Sequence, residues 1–182
     1  MNLINQYQRW HETADLFAGK SSLKHVEYIS QFIRDKNCES ILDFGCGKGD
    51  QYFKDKIHEQ HFRGVLPTLY DPAVEEFCTL PERTFDAVIS TDVLEHIDEI
   101  DDALRTIHDK ADKFVYHGVA NFPTGRLLDD GRDSHVIQED IDWWVQKVLP
   151  YAKQFTMIYL DGGDHNKSSR ALIENHKVIV IK

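Results

Sequence analysis

Asp92, Glu95 and His96 stand at positions i, i+3 and i+4 of the stretch T-D-V-L-E-H. If a helix has begun by Asp92, that spacing puts all three side chains on one face, where they can converge. Two carboxylates and an imidazole suit a divalent cation. In a second reading, Asp92 faces a bound ligand while Glu95 and His96 cap and charge a helix start. Further on, the segment 117–136, H-G-V-A-N-F-P-T-G-R-L-L-D-D-G-R-D-S-H-V, is polar, Gly-rich and too long for a minimal connection. Loops of this kind carry substrate contacts. A histidine near neutral pH can take a proton from a hydroxyl or amine nucleophile. His135, His117 and Arg132 are therefore the candidate catalytic residues, set against the plainer reading of a solvated surface loop.

A different chemistry belongs to residues 41–49, I-L-D-F-G-C-G-K-G. The apolar run from Ile41 to Phe44 suits a buried strand and carries an acid at Asp43. Gly45, Gly47 and Gly49 follow at every second position and allow a tight turn that can approach a ligand closely. Strand-to-helix turns of this type present backbone N–H groups to nucleotide-like ligands. L-Y-D-P then places Asp71 where a short strand ends, and Pro72 prevents the ladder from continuing. An acid at the end of the second strand of such a unit commonly holds ribose hydroxyls, roughly 20 residues beyond the glycines. Here the interval from Gly45 is 26 positions. An ordinary Asp-Pro turn is the alternative.

These residues need elements to hold them. Leu23, Val26, Ile29, Phe32 and Ile33 lie at helical spacing within 22–35, with Ser21 or Ser22 as N-cap. Strands are predicted at 39–44, up to Asp71, at 87–90, 114–117, 155–160 and 177–181, with helices from Gly49, over 98–111 and over 138–149. The last two strands are read as an antiparallel pair, joined by a loop holding D-G-G-D-H-N-K-S-S. Alternating strands and helices imply an α/β fold, a mainly parallel sheet with helices on both faces. Only 13 residues separate Asp71 from Phe85. A crossover helix plus its strand does not fit easily into that interval.

Composition bounds the class. A chain of 182 residues is long enough for one core, and we read residues 1–182 as a single domain. No apolar run approaches the roughly 20 residues of a membrane span, and residues 1–10 lack the pattern of a signal peptide. Three cysteines, Cys38, Cys46 and Cys78, form no C-x-x-C pair and fit a reducing cytoplasm. The net charge of −10, from 31 acids and 21 bases, would on average repel a polyanion, so nucleic acid is disfavoured as a partner.

Taken together, Asp43 to Gly49, Asp71 and Thr91 to His96 resemble the class I S-adenosylmethionine-dependent methyltransferases over roughly residues 21–182. The resemblance implies a Rossmann-like fold with S-adenosylmethionine bound at the carboxyl ends of the strands. It implies cofactor contacts at Asp43, Gly45, Cys46, Gly47, Asp71, Pro72, Asp92 and Val93. In family labels, the short interval after Asp71 predicts loss of the third strand and its helix, leaving six strands ordered 2-1-4-5-7-6. The acid that normally binds adenine after that strand then has no counterpart, and Cys78, Thr79 or Leu80 are the residues nearest to that pocket. Asp92-x-x-Glu95-His96 also resembles the metal-binding signature of ubiquinone-pathway O-methyltransferases and of small-RNA 3′-terminal ribose methyltransferases. That likeness implies a divalent metal at Asp92, Glu95 and His96. Residues 1–20, with Y-Q-R-W-H at 7–11, are either a lid over the cofactor or an ordinary packing segment. The expected activity is O-methylation of a small hydroxylated molecule. An RNA ribose 2′-O-methyltransferase and a cofactor-binding protein without transferase activity are the alternatives. No N-P-P-Y follows the fourth strand, which disfavours a DNA amino-methyltransferase.

Overall fold

The computed structural model describes residues 3–13, 16–164 and 167–181. Seven strands form one sheet in the order β2-β1-β3-β4-β5-β6-β7. They are β1 (Ile41–Phe44), β2 (Thr68–Tyr70), β3 (Phe85–Thr91), β4 (Ala111–Ala120), β5 (Phe155–Asp161), β6 (Ser169–Glu174) and β7 (Lys177–Ile181). The first five pair in parallel, and β6 and β7 add antiparallel at the outer side of β5. Longer helices are α1 (Leu3–Thr13), α2 (Val26–Asp35), α5 (Ile100–Lys110) and α6 (Ile141–Val148), with short α3 (Asp50–Phe53) and α4 (Ile57–His61) between β1 and β2.

Buried apolar side chains from alternate strand positions separate into two cores. Leu42, Val88, Val115 and Ile158 face Leu104, Ile107, Trp144 and Val148 of α5 and α6. Ile41, Ala87, Ile89, Phe114 and Tyr116 face Ile29 and Ile33 of α2 and Ile57 of α4. The parallel strands are thus buried on both faces, which explains why β1 and β3 read as mainly apolar runs rather than alternating ones, with Asp43 buried in β1.

The interval from Asp71 to Thr84 holds only a 3₁₀ turn at Glu75–Phe77, so the family's third strand and its crossover helix are absent, as the short interval predicted. The expected order fails at the opposite edge. The sheet has seven strands because Ser169–Glu174 pairs with both Thr156–Leu160 and Lys177–Ile181. The last strand is therefore not the antiparallel partner of β5 and is not inserted beside β4. Part of the region read as a loop is strand β6, while His165 and Asn166 lie outside the described residues. Ser21 and Ser22 do not cap α2, which follows a 3₁₀ turn at Ser21–His25. Ser22 is instead buried, with its Oγ 3.0 Å from Thr91 Oγ1. Among the described residues, no helix is long and apolar enough to cross a membrane.

Candidate active site

The glycine turn is tied from both sides. Gly45 N–H and Cys46 N–H donate to the Tyr70 carbonyl at 2.7 and 3.2 Å, and Gly47 N–H donates to Asp71 Oδ2 at 2.9 Å. On the other side, Lys48, Asp50 and Gln51 donate their amides to the carbonyls of Phe17, Ala18 and Gly19 at 3.1, 2.9 and 3.0 Å. Gly49 N–H donates to Cys46 O at 3.2 Å. Every backbone N–H from Gly45 to Gln51 therefore already has a partner. A phosphate needs several such groups pointing outward, so the turn suits a nucleoside ligand without phosphate. Close packing explains the glycine at Gly45, whose φ is +83°: a Cβ there would lie 2.3 Å from Val93 Cγ2. At Gly47, φ +56°, a Cβ would meet the Phe17 carbonyl at 2.6 Å. That contact lies within the protein and not at the ligand face.

A cavity of about 470 Å³ opens beside this turn, within the size range of ligand pockets. Gly45, Gly47, Asp71, Pro72, Asp92 and Val93 line it, which brings together six of the eight expected cofactor residues. Leu80 also lines it, whereas Cys78 and Thr79 do not. Asp71 sits at the carboxyl end of β2. Besides Gly47, it accepts from Ala73 N–H through Oδ1 at 2.9 Å, so the chain fixes its carboxylate in place.

Asp43 and Cys46 do not line the cavity. Asp43 points into the opposite core, where Oδ2 accepts from Tyr52 Oη at 2.7 Å and from Gln51 Nε2 at 3.0 Å. Oδ1 has no partner. Burial pushes this carboxyl up to about 7, against the two hydrogen bonds. Cys46 is also buried, its thiol turned toward the Gly47 carbonyl, and burial raises its pKa.

Beyond β3 the chain does not enter a helix at once. Asp92 adopts a left-handed backbone, φ +54°, a 3₁₀ turn follows at Leu94–His96, and α5 begins only at Ile100. The single helical face expected for Asp92, Glu95 and His96 therefore does not form, and neither Glu95 nor His96 is at the start of α5. Asp92 faces the cavity, 3.5 Å from Lys24 Nζ. Glu95 turns inward and is fully buried; its Oε1 accepts from Ala120 N–H at 2.6 Å, and Oε2 has no partner. Burial first, and then the charge of Asp92, push this carboxyl up to about 8.

His96 lines the cavity and meets His135 with ring centroids 4.6 Å apart. One ligand atom from each of Glu95, His96 and His135 lies within 4.8 Å of the others. His135 thus takes the place expected for Asp92 in the metal set. His135 Nδ1 is 2.6 Å from the Phe122 carbonyl, and His96 Nδ1 is 2.8 Å from the Ser134 carbonyl. A carbonyl only accepts, so each Nδ1 carries a hydrogen toward it and each Nε2 points the other way. Burial, reinforced by His135, lowers the His96 pKa to about 4, so its ring is neutral at pH 7.

Two candidates lie elsewhere. Strand β4 continues to Ala120, so His117 is a fully buried strand residue whose Nε2 is 3.3 Å from His108 Nε2. Its pKa is lowered by burial. Arg132 is exposed and held by Asp98 and Asp130 at 2.5 and 2.8 Å. It does not line the cavity. Tyr7 and His11, from the segment read as a lid or packing segment, line the cavity, as do Leu3, Ile4 and Phe17, and further along the chain Glu99 and Asp102, none of which was singled out. The aromatic character of Y-Q-R-W-H was the available signal.

The family model described as "Methyltransferase domain" matches residues 10–147. The chain belongs to the class I S-adenosylmethionine-dependent methyltransferases. No curated protein and no solved structure matches it. The match spans the glycine turn, Asp71 and the Glu95–His96–His135 cluster; of that cluster His96 lines the cavity of this methyltransferase, while Glu95 and His135 lie behind it. S-adenosylmethionine, the family's cofactor, has no phosphate and carries a sulfonium cation. The occupied turn amides and the cavity carboxylates fit both properties.

Proposed function

We propose that this methyltransferase O-methylates a small hydroxylated acceptor that is not an anion. The observation that carries the reading is the neutral His96 ring in the cavity wall, backed by His135 and Glu95. The charged side chains of the cavity wall support the statement about the acceptor. Among the described residues they are Asp71, Asp92, Glu99 and Asp102, with no lysine or arginine. An anion placed there would face like charges. The same argument disfavours an RNA ribose, whose flanking phosphates would approach this rim.

In this reading residues 1–182 act as one cofactor-binding unit, with the segment before Ser21 as its lid. Asp71 holds the ribose hydroxyls, and Gly45, Gly47, Pro72, Asp92 and Val93 shape the bed of S-adenosylmethionine, which supplies the methyl group on its sulfonium. The chain's task is alignment of the acceptor oxygen with the S–CH₃ axis and exclusion of water. We assign removal of the hydroxyl proton to His135 Nε2, since its Nδ1 hydrogen is committed to Phe122 O and its ring meets His96 at the cavity wall. Glu95 Oε2, His96 Nε2 and His135 Nε2 also fit a divalent cation: one is an unpartnered buried carboxylate oxygen, and the other two are ring nitrogens oriented by their carbonyl partners. A bound cation would lower the pKa of an acceptor hydroxyl.

Methyl transfer from labelled S-adenosylmethionine to catechol, dopamine and 3,4-dihydroxybenzoate tests the charge argument. Dopamine and catechol should react faster than the carboxylated analogue at neutral pH. A faster rate on 3,4-dihydroxybenzoate would overturn the non-anionic assignment. Chelator treatment should abolish transfer if the cation is used, whereas unchanged transfer would leave His135 as the base.

A further inference from the structure

Among the α1 residues that line the cavity, Tyr7 reaches His96 through its hydroxyl. Tyr7 Oη lies 2.9 Å from His96 Nδ1 and 3.4 Å from the Ser134 carbonyl oxygen, the same carbonyl that receives Nδ1–H. Since Nδ1 carries the hydrogen, the tyrosine oxygen shares it as a second acceptor, and the tyrosine O–H points at Ser134 O. The three groups close a triangle around one imidazole proton. The Tyr7 ring stands edge-on to His96, with centroids 5.6 Å apart, and so covers the bonded side of the imidazole.

The same helix is fastened to the loop that carries His135. Asp129 N–H donates to Gln6 Oε1 at 3.1 Å, and Arg9 pairs with Asp129 at 2.5 Å. Arg126 of that loop lies over the rings of Trp10 and Phe17, with centroid distances of 5.5 and 5.4 Å. The helix and the loop therefore meet over His96, and Tyr7 is the residue of the helix that touches it by hydrogen bond.

We infer that Tyr7 is a positioning residue for methyl transfer: its hydroxyl shares the Nδ1 hydrogen that His96 gives to the Ser134 carbonyl and shields that bond, which holds the ring with Nε2 turned away from the carbonyl. This inference rests on the reading that His96 serves the acceptor.

The test uses full-length protein labelled with ¹⁵N-histidine and observed by NMR. In the wild type, His96 should show one neutral tautomer with a slowly exchanging imidazole N–H. Tyr7→Phe retains the ring and removes the hydroxyl. It should speed exchange of that proton by at least about tenfold, while Gln6→Ala, which removes a tie of the helix to the loop, should change it by less than about twofold. Unchanged exchange in Tyr7→Phe would overturn the inference. Equal acceleration in Gln6→Ala would also overturn it, because docking in general would then account for the effect. The acceptor reading fails separately: His96→Ala leaving dopamine methylation unchanged would remove His96 from the reaction, whatever the NMR result.

Discussion

Asp71→Asn separates the binding role of this residue from its role in the turn. The carboxylate accepts from two backbone amides, Gly47 N–H through Oδ2 and Ala73 N–H through Oδ1. Asparagine keeps one acceptor oxygen, so one of these bonds is lost and its NH₂ faces a backbone donor. That loss alone should lower folding stability by about 1–2 kcal/mol. If Asp71 also holds ribose hydroxyls, the substitution replaces charge-assisted bonds to the ligand as well. A loss of roughly 1.5–3 kcal/mol in binding follows, which is about 10- to 150-fold in Kd. Isothermal calorimetry with S-adenosylmethionine, alongside urea unfolding of the same preparation, measures both quantities. A Kd within threefold of wild type, together with the expected fall in stability, would refute the reasoning. Asp71 would then be only the staple that joins β2 to the glycine turn.

Two other perturbations have definite signs. Gly45→Ala should prevent cofactor binding and lower the melting temperature, because its Cβ would lie 2.3 Å from Val93 Cγ2 at a backbone φ of +83°; calorimetric titration with S-adenosylmethionine and a thermal melt read the two effects. Glu95 sets a pH dependence in chelator-treated protein. Its folded pKa of about 8 lies above the ordinary value of 4.5, so the folded state holds a proton that the unfolded state releases, and stability falls as pH rises between those values. Asp43, raised to about 7, acts in the same direction up to that pH, whereas His96, lowered to about 4, makes stability rise between pH 4 and 6.5. Above pH 7 the decline should belong chiefly to Glu95 and should flatten in Glu95→Gln, as urea midpoints at pH 7 and pH 8.5 would show.

The glycine turn and the strands beside it were legible because burial on both faces leaves mainly apolar runs, as in Ile41–Phe44 and Ala87–Ile89. The missing crossover was legible from length alone. The site beyond β3 was harder to read because its geometry depends on Asp92, a non-glycine residue at φ +54°. Nothing in T-D-V-L-E-H marks that bend, so a helical face was expected where the chain turns sharply. His117 misled for a related reason. The pair His117-Gly118 resembles the end of a strand, yet both residues lie inside β4, where Gly118 leaves room for His25: a Cβ on it would lie 2.8 Å from His25 Nε2. The pairing of His96 with His135 and the docking of Tyr7 join residues 39 and 89 positions apart, and no local spacing encodes either. Strand β6 was hidden because S-R-A-L-I-E follows a polar run with no sharp boundary.

The placement of β6 and β7 outside β5 affects how the chain can assemble. An inserted final strand would hold a gap open in the sheet until the last residues arrived. Here β4 and β5 pair directly, so the five parallel strands can close before the C-terminal hairpin exists. The hairpin then adds through local contacts: Glu174 pairs with Lys177 across Asn175 and His176, both at positive φ (+51° and +59°), as a two-residue turn requires. Short-range pairing of this kind carries little loop-closure cost. During synthesis, the slow parallel pairing of β1 to β5 therefore need not wait for β6 and β7, and the interval in which unpaired strand edges are exposed to other molecules is shortened.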